Sequence, residues 1–257
     1  MNKDSDFFIK KYLKNQPSFM SYIRVPEAML FSEYSRLIKR PVLDFGPGDG
    51  FFAKTVFGTG LVDCGLDIKN DRTKHIFGKK IYKKILFYEG TKIPIKNNSY
   101  NTVISNCVLE HIPDIETSLR EIYRILKPRG LFITSVMTDK WNDYLYGKKF
   151  FGKFYERYMR KIQFHENLFS YSKWSAVFRK SKFGIVTVRG YMDMSSSQHL
   201  DIAHYLSAPS LLSKIIFGKW QKFPNLNQRL WNKSVAESID TNVPVRDSAA
   251  LFFILKK

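Results

Sequence analysis

Apolar residues in this chain fall into short unbroken runs, and stretches with helical spacing lie between them. At 42–45, Val42, Leu43 and Phe45 surround a single carboxylate, Asp44, and glycines follow at alternate positions, Gly46, Gly48 and Gly50. That pattern predicts a buried strand ending in a tight turn, because glycine serves where backbone takes positive φ or meets a ligand closely. A helix should begin near 49–51 and stop at Gly58 to Gly60. Further apolar runs predict strands at 61–66, 85–88, 101–105, 131–136, 185–191 and 249–255. Between them, a short basic helix is expected within 71–80. A second covers 114–126, capped by Asp114, with Ile115, Leu119, Ile122 and Leu126 on one face. A third covers 172–183 and stops at Gly184.

Three regions depart from this alternation. Residues 5–40 read as helical, with Pro26 as a first helical residue and Met29 or Leu30, Tyr34, Leu37 and Ile38 on one face before Pro41. Residues 137–170 interleave aromatics such as Phe150, Phe154 and Tyr158 with Lys149, Lys153 and Arg157. More than fifty residues then separate the last two strands, far beyond a hairpin loop. Within that insertion, Leu211, Ile215, Ile216, Phe217 and Trp220 mix with Lys214, Lys219 and Lys222, and Pro209 and Pro224 divide the stretch into short helices. Such a composition suits a segment lying in a lipid interface. It also suits helices packed on the sheet or forming a dimer face.

The glycine turn narrows the chemistry. A dinucleotide fingerprint G-x-G-x-x-G would need glycine at 51, which is Phe51, so a pyrophosphate on the helix start is disfavoured. An acidic strand end, Asp44, suits a ligand carrying positive charge. Asp67 ends the second strand-like run 21 residues after Gly46, where a carboxylate accepts both hydroxyls of a ribose. Nucleoside plus cation is S-adenosylmethionine.

With VLDFGPGDG (42–50), EGTKIPI (89–95), NTVISNCVLEHIPD (101–114) and EIYRILKPRG (121–130) in this order, the chain resembles the class I S-adenosylmethionine-dependent methyltransferases, in their small-molecule, type 11-like branch. The resemblance implies an α/β fold, a Rossmann-like, doubly wound, seven-stranded sheet whose last strand is antiparallel. It divides the chain into a helical N-terminal lid (1–40), a core (41–191) carrying the aromatic and basic insertion 137–170, a helical arm (192–247) and the final strand (248–257). It implies cofactor contacts from Asp44, Gly46, Gly48, Asp67, Ile68, Glu89, Gly90 and Asn106. Glu89 replaces the usual Asp beside the adenine, and Arg129 stands where the family turn commonly has glycine. Aromatics of the lid, Phe7, Phe8, Tyr12, Phe19 and Tyr22, could line the acceptor's side.

Methyl transfer from a sulfonium is an in-line displacement that needs no protein nucleophile, although an oxygen acceptor must lose a proton. Two histidines are candidate catalytic residues. His165, in FHENL, matches a His-x-Asn element that enters the pocket of many relatives, and is the first choice for general base. His111, in LEHI, follows the fourth strand and either acts on the acceptor or bonds backbone. Some quinone-pathway O-methyltransferases hold a divalent metal with Glu-x-x-Glu-His there. Cys107 occupies the first position here, so Glu110 and His111 are an incomplete set and no metal is expected. His75, His199 and His204 are expected to be solvated or structural.

Composition sets the outer limits. At 257 residues and 44% hydrophobic, the chain is globular, with one full core and material for a cap. Its N-terminus lacks the apolar core of a signal peptide and its apolar runs are too short to span a bilayer. Two cysteines give no disulfide framework, so a cytoplasmic place is expected, with a peripheral site at the inner face of the membrane held open. The formal charge of +19, of which +11 falls in residues 137–257, favours an anionic partner. Three functions stay open: O-methylation of a small or carrier-linked metabolite such as a glycan, lipid or quinone precursor, RNA methylation, and a catalytically idle module docked on a membrane or protein. Nucleic acid is the weaker partner, since neither cysteine follows a proline and NCVL is no Asn/Asp-Pro-Pro-aromatic cradle. Monomer and homodimer are both compatible with the sequence.

Overall fold

The computed structural model describes residues 3–69 and 81–257, so the basic helix expected within 71–80, with His75, lies outside the described part. Seven strands form one sheet: β1 (Val42–Phe45), β2 (Cys64–Asp67), β3 (Lys84–Phe87), β4 (Tyr100–Asn106), β5 (Leu126–Met137), β6 (Gly184–Tyr191) and β7 (Ala250–Lys256), in the order β3-β2-β1-β4-β5-β7-β6. The first five pair in parallel, with Asp44 beside Gly65 and Ile104, Asp67 beside Phe87, and Asn106 beside Ser135. β7 runs against β5, because Lys257 just past its end exchanges backbone bonds with Arg129 and Gly130 near the start of β5. This is the doubly wound, mixed sheet expected from the sequence. Val42, Leu43 and Phe45 and the run from Ala250 to Leu255 are buried, as strands covered on both faces must be.

In the chain, α1 (Lys3–Asn15) and α2 (Ser18–Glu33) precede the sheet. α3 (Phe51–Phe57) follows β1, and α4 (Ile115–Ile125) joins β4 to β5. α5 (Lys140–Tyr144), α6 (Lys148–Ile162) and α7 (Tyr171–Lys180) lead to β6, and α8 (Met194–Leu206), α9 (Ala208–Phe217) and α10 (Pro224–Ser238) lead to β7. Asp114 caps α4 by accepting from the Thr117 amide at 3.0 Å, and Ile115, Leu119 and Ile122 are buried as the stripe predicted.

These elements divide into two compact units. One, comprising Phe31–Thr138, Phe164–Arg189 and Leu251–Lys257, holds most of the sheet. Phe31 packs edge-on against Phe52 and Phe252 with ring centroids 5.2 and 5.0 Å apart, contacts that add about 0.5–1.5 kcal/mol each beyond area burial. Trp174 is fully buried and satisfies its indole N–H on the Met137 carbonyl at 2.9 Å. The other unit, Met1–Leu30, Asp139–Gln163 and Gly190–Ala250, is largely helical. Its buried Glu27 accepts from Arg24 and from the Tyr191 hydroxyl, and its buried Asp201 accepts from Tyr155 at 2.6 Å and from the Gly147 amide at 3.0 Å. Of the lid aromatics, Phe8, Tyr12 and Tyr22 are core side chains of this unit.

Two local expectations are corrected. Pro26 lies inside α2 and does not start it. The helix begins at Ser18, directly after Pro17, and the buried Tyr22, Val25, Ala28 and Phe31 offset a cost of about 3 kcal/mol for an interior proline. Tyr34, Leu37 and Ile38 do not share its face, because the α-helix ends at Glu33 and residues Ser35–Leu37 form a 3₁₀ turn.

Candidate functional site

The candidate cofactor residues and both candidate histidines fall in the sheet-bearing unit, whereas the lid aromatics belong to the helical one, and the cofactor residues from β1 to β4 sit at the carboxyl edge of the sheet. After β1 the chain turns through Gly46, Gly48 and Gly50 with φ of +78°, +57° and +74°, and Gly50 opens α3. Gly46 is fixed by close approach as well. A Cβ there would stand 2.5 Å from Val108 Cγ2, so the turn after β4 closes directly on the turn after β1. In front of Gly48 and of Gly90 (φ +82°) a Cβ would meet nothing within 4 Å, leaving room for a ligand against bare backbone.

Asp44 is buried, and its Oδ2 accepts from the Tyr82 hydroxyl at 2.6 Å. Burial, with a smaller contribution from the charge of Asp67, pushes its carboxyl up to about 7 against the pull of the Tyr82 bond. The same surroundings drive the Tyr82 phenol far above its ordinary range. Asp67 accepts from the Gly48 amide at 3.1 Å through Oδ2 and from the Ile68 amide at 2.8 Å through Oδ1, which orients the carboxylate across the glycine turn. Ile68 is exposed beside it, and Glu89 is exposed two residues past β3. At the end of β4, Asn106 Oδ1 accepts from Ser135 Oγ at 2.6 Å, and Cys107 takes φ +49° with its amide on Ser135.

Beyond β4, Leu109–His111 form a 3₁₀ turn, and His111 stacks on His165 with ring centroids 5.1 Å and planes 23° apart. His165 is buried and His111 exposed. Phe164 reverses the chain at φ +54° and its carbonyl lies 3.1 Å from His111 Nδ1. The amides of Glu166 and Asn167 both bond the Glu110 carbonyl, and the Asn167 side chain donates to Leu109 and Ile112. His165 is therefore docked onto the turn that follows β4, although more than fifty residues separate them in sequence. Tyr82, Val108 and Asn167 were not singled out from sequence. Only Asn167 had a signal, as the third residue of the His-x-Asn element.

A cation-bearing nucleoside suits this edge on three grounds. Bare backbone at Gly48 and Gly90 allows close approach, Asp67 presents a carboxylate braced by the Gly48 and Ile68 amides, and Asp44, once ionised above about pH 7, sets negative charge behind the turn.

A family profile described as a methyltransferase domain matches residues 43–134. The ubiquinone biosynthesis O-methyltransferase of Rickettsia canadensis is 28% identical over 149 residues, 57% of this chain and 61% of that protein. The chain spans less than two thirds of the length of such relatives. Among solved structures, a Thermotoga maritima methyltransferase described as a possible histamine N-methyltransferase superposes with a TM-score of 0.58 at 16% identity, over 93% of this chain and 92% of that one. Phosphoethanolamine N-methyltransferase 2 of Haemonchus contortus, solved with S-adenosylhomocysteine, gives 0.56 at 16% identity over 100% and 58%. Residues 43–134 therefore match a methyltransferase domain, and the strand order and glycine turn are those of the class I S-adenosylmethionine-dependent methyltransferase fold.

Proposed function

We propose that this protein transfers the methyl group of S-adenosylmethionine to an oxygen of a small or carrier-linked metabolite, such as a glycan, lipid or quinone precursor. The observation that carries the reading is the juxtaposition of the turn after β4 with both the glycine turn and the His111–His165 stack, which gathers cofactor-type and acid–base residues in one unit. When bound, the cofactor supplies an electrophilic methyl group on a sulfonium. Asp67, with Ile68, Glu89 and Gly90 alongside, holds the nucleoside end, and Gly46, Gly48 and Asn106 offer backbone to the amino-acid end. Asp44 favours the positive charge of the sulfonium ligand over its neutral product. His165, buried and stacked on His111, accepts the proton of the acceptor hydroxyl. The 28% identity to a ubiquinone biosynthesis O-methyltransferase supports the choice of an oxygen acceptor.

An anionic membrane surface is the partner we attach to this reading, the chain acting as a monomer or homodimer. The test is incubation with methyl-labelled S-adenosylmethionine and fractionated cytosolic, lipid and RNA extracts. Label in a small-molecule or lipid fraction, lost with His165→Ala, is the expected result. Label confined to RNA would move the acceptor to nucleic acid, and label in no fraction would favour an idle module.

A further inference from the structure

α9 has its polarity reversed. Ser210 and Ser213 face inward and are hydrogen-bonded, Ser210 to the Gln221 side chain at 3.1 Å and Ser213 to the Lys219 carbonyl at 2.9 Å. Leu211, Leu212, Ile215 and Ile216 face outward, between 53% and 70% exposed. At 100° per residue these four span an arc of about 140°, the width of an apolar stripe that an ordinary surface helix would turn inward. Gly218 ends the helix at φ +69°, and the chain then supplies Lys219 and Lys222, the latter 4.0 Å from the exposed Phe217 ring.

α9 thus presents an exposed apolar strip, and further exposed apolar side chains lie in the same unit. Leu206 at the end of α8 is exposed and leads through Ser207 into α9. Tyr205 donates to the Tyr155 hydroxyl at 2.7 Å, which binds α8 to α6. There Phe154 and Tyr158 stand in solvent among Lys153 and Arg157.

We infer that α9, with this strip, is a docking face for the surface of an anionic lipid bilayer. Outward leucine and isoleucine bordered by lysine and phenylalanine match what an in-plane interfacial helix presents to acyl chains and headgroups. A nucleic acid would meet the lysines but gain nothing from four exposed aliphatic side chains. The core of a subunit interface is depleted of lysine, whereas Lys214 and Lys222 lie within this patch. Among the described residues no helix is long and apolar enough to cross a membrane, so the contact is peripheral. The inference takes up the membrane partner proposed above but stands on the exposed face alone, whatever the acceptor.

The experiment is co-sedimentation of the full chain with phosphatidylcholine vesicles, with and without phosphatidylglycerol, at low and physiological salt. The chain should pellet with the anionic vesicles, more at low salt, and remain in solution with the neutral ones. Leu211→Ser with Ile215→Ser should release it, and Lys219→Ala or Lys222→Ala should each lower partitioning by roughly fivefold. Calorimetric binding of S-adenosylmethionine, unchanged in these variants, verifies their folding and separates this result from failure of the proposed reaction. A chain that stays in the supernatant, whether monomer or dimer, overturns the inference, the dimer marking the face as one between copies. Binding indifferent to the Leu211 and Ile215 changes overturns it too. So does RNA binding lost only in the lysine variants, which would mark a phosphate-backbone surface.

Discussion

Tyr82 donates its phenol proton to Asp44 Oδ2 at 2.6 Å, so the buried carboxylate at the mouth of the glycine turn is held by a residue 38 positions away. Burial comes first among the causes that raise Asp44 to about 7, and the Tyr82 bond opposes it. Because the folded value lies above the ordinary 3.8, Asp44 contributes stability that is complete below about pH 4 and is lost as pH rises through about 7. The ionised form is the one that favours a cation. The affinity for S-adenosylmethionine relative to S-adenosylhomocysteine should therefore rise as pH passes upward through about 7, and Asp44→Asn should abolish that rise. Tyr82→Phe removes the bond that lowers the value and should move the midpoint to higher pH. Calorimetry with both ligands checks this, and a ratio independent of pH in the native chain would remove Asp44 from the sulfonium.

Asp67→Ala removes the acceptor that crosses the glycine turn. Hydrogen bonds to a charged group contribute about 1.5–3 kcal/mol each, so cofactor affinity should fall by roughly tenfold to a few hundredfold. Unchanged affinity in calorimetry would take the ribose away from Asp67.

Gly46 and Gly48 should fail differently. Alanine at either bears about 1–2 kcal/mol for left-handed backbone. At Gly46 the added Cβ also drives into Val108 Cγ1 and Cγ2 at 2.7 and 2.5 Å, whereas at Gly48 it enters open space. Gly46→Ala should show the larger drop in thermal midpoint. Gly48→Ala should fold nearly as well yet lose cofactor affinity, because its methyl would fill the open space proposed for the ligand. Equal melting and equal binding in the two variants would contradict this division.

The strands and the glycine turn were legible because unbroken apolar runs and glycines at alternate positions are local signals. Tyr82 on Asp44 and Val108 on Gly46 were not, since each depends on pairing between distant strands. The His111–His165 stack needed the family resemblance, because nothing in the 53 intervening residues indicates that the chain returns there. Pro26 misled because an interior proline is tolerated when the surrounding face is buried. The sequence around α9 suits a lipid interface, packing on the sheet or a dimer face alike, and only the inward placement of Ser210 and Ser213 shows that its leucines and isoleucines face outward.

His165→Ala should lower turnover by about 10²–10⁴-fold, the usual worth of a positioned base, while cofactor affinity stays nearly intact. His111→Ala should cost less, because His111 is exposed and touches the acceptor side through its stack on His165. Steady-state rates on the labelled acceptor fraction, with separate calorimetry for the cofactor, check both. Loss of cofactor binding in His165→Ala would make it a packing residue.

Arg129 is an exposed residue at φ +64°, a backbone conformation that glycine adopts without cost. Its amide bonds the Lys257 carbonyl at 3.2 Å and the Gly130 carbonyl accepts from Lys257 at 3.0 Å, so the turn clamps the end of β7 and its conformation is fixed. Left-handed backbone costs an ordinary residue about 1–2 kcal/mol, and glycine returns about 0.4–1 kcal/mol of that through the freer unfolded chain. Arg129→Gly should therefore stabilise the protein by about 0.5–1 kcal/mol, seen as a higher urea midpoint with an unchanged slope. Gly130→Ala should act in the opposite sense, since its Cβ would lie 2.8 Å from the Lys127 carbonyl oxygen and 3.1 Å from that of Asn101. A lower midpoint for Arg129→Gly would mean that the arginine side chain contributes more to this turn than its backbone costs.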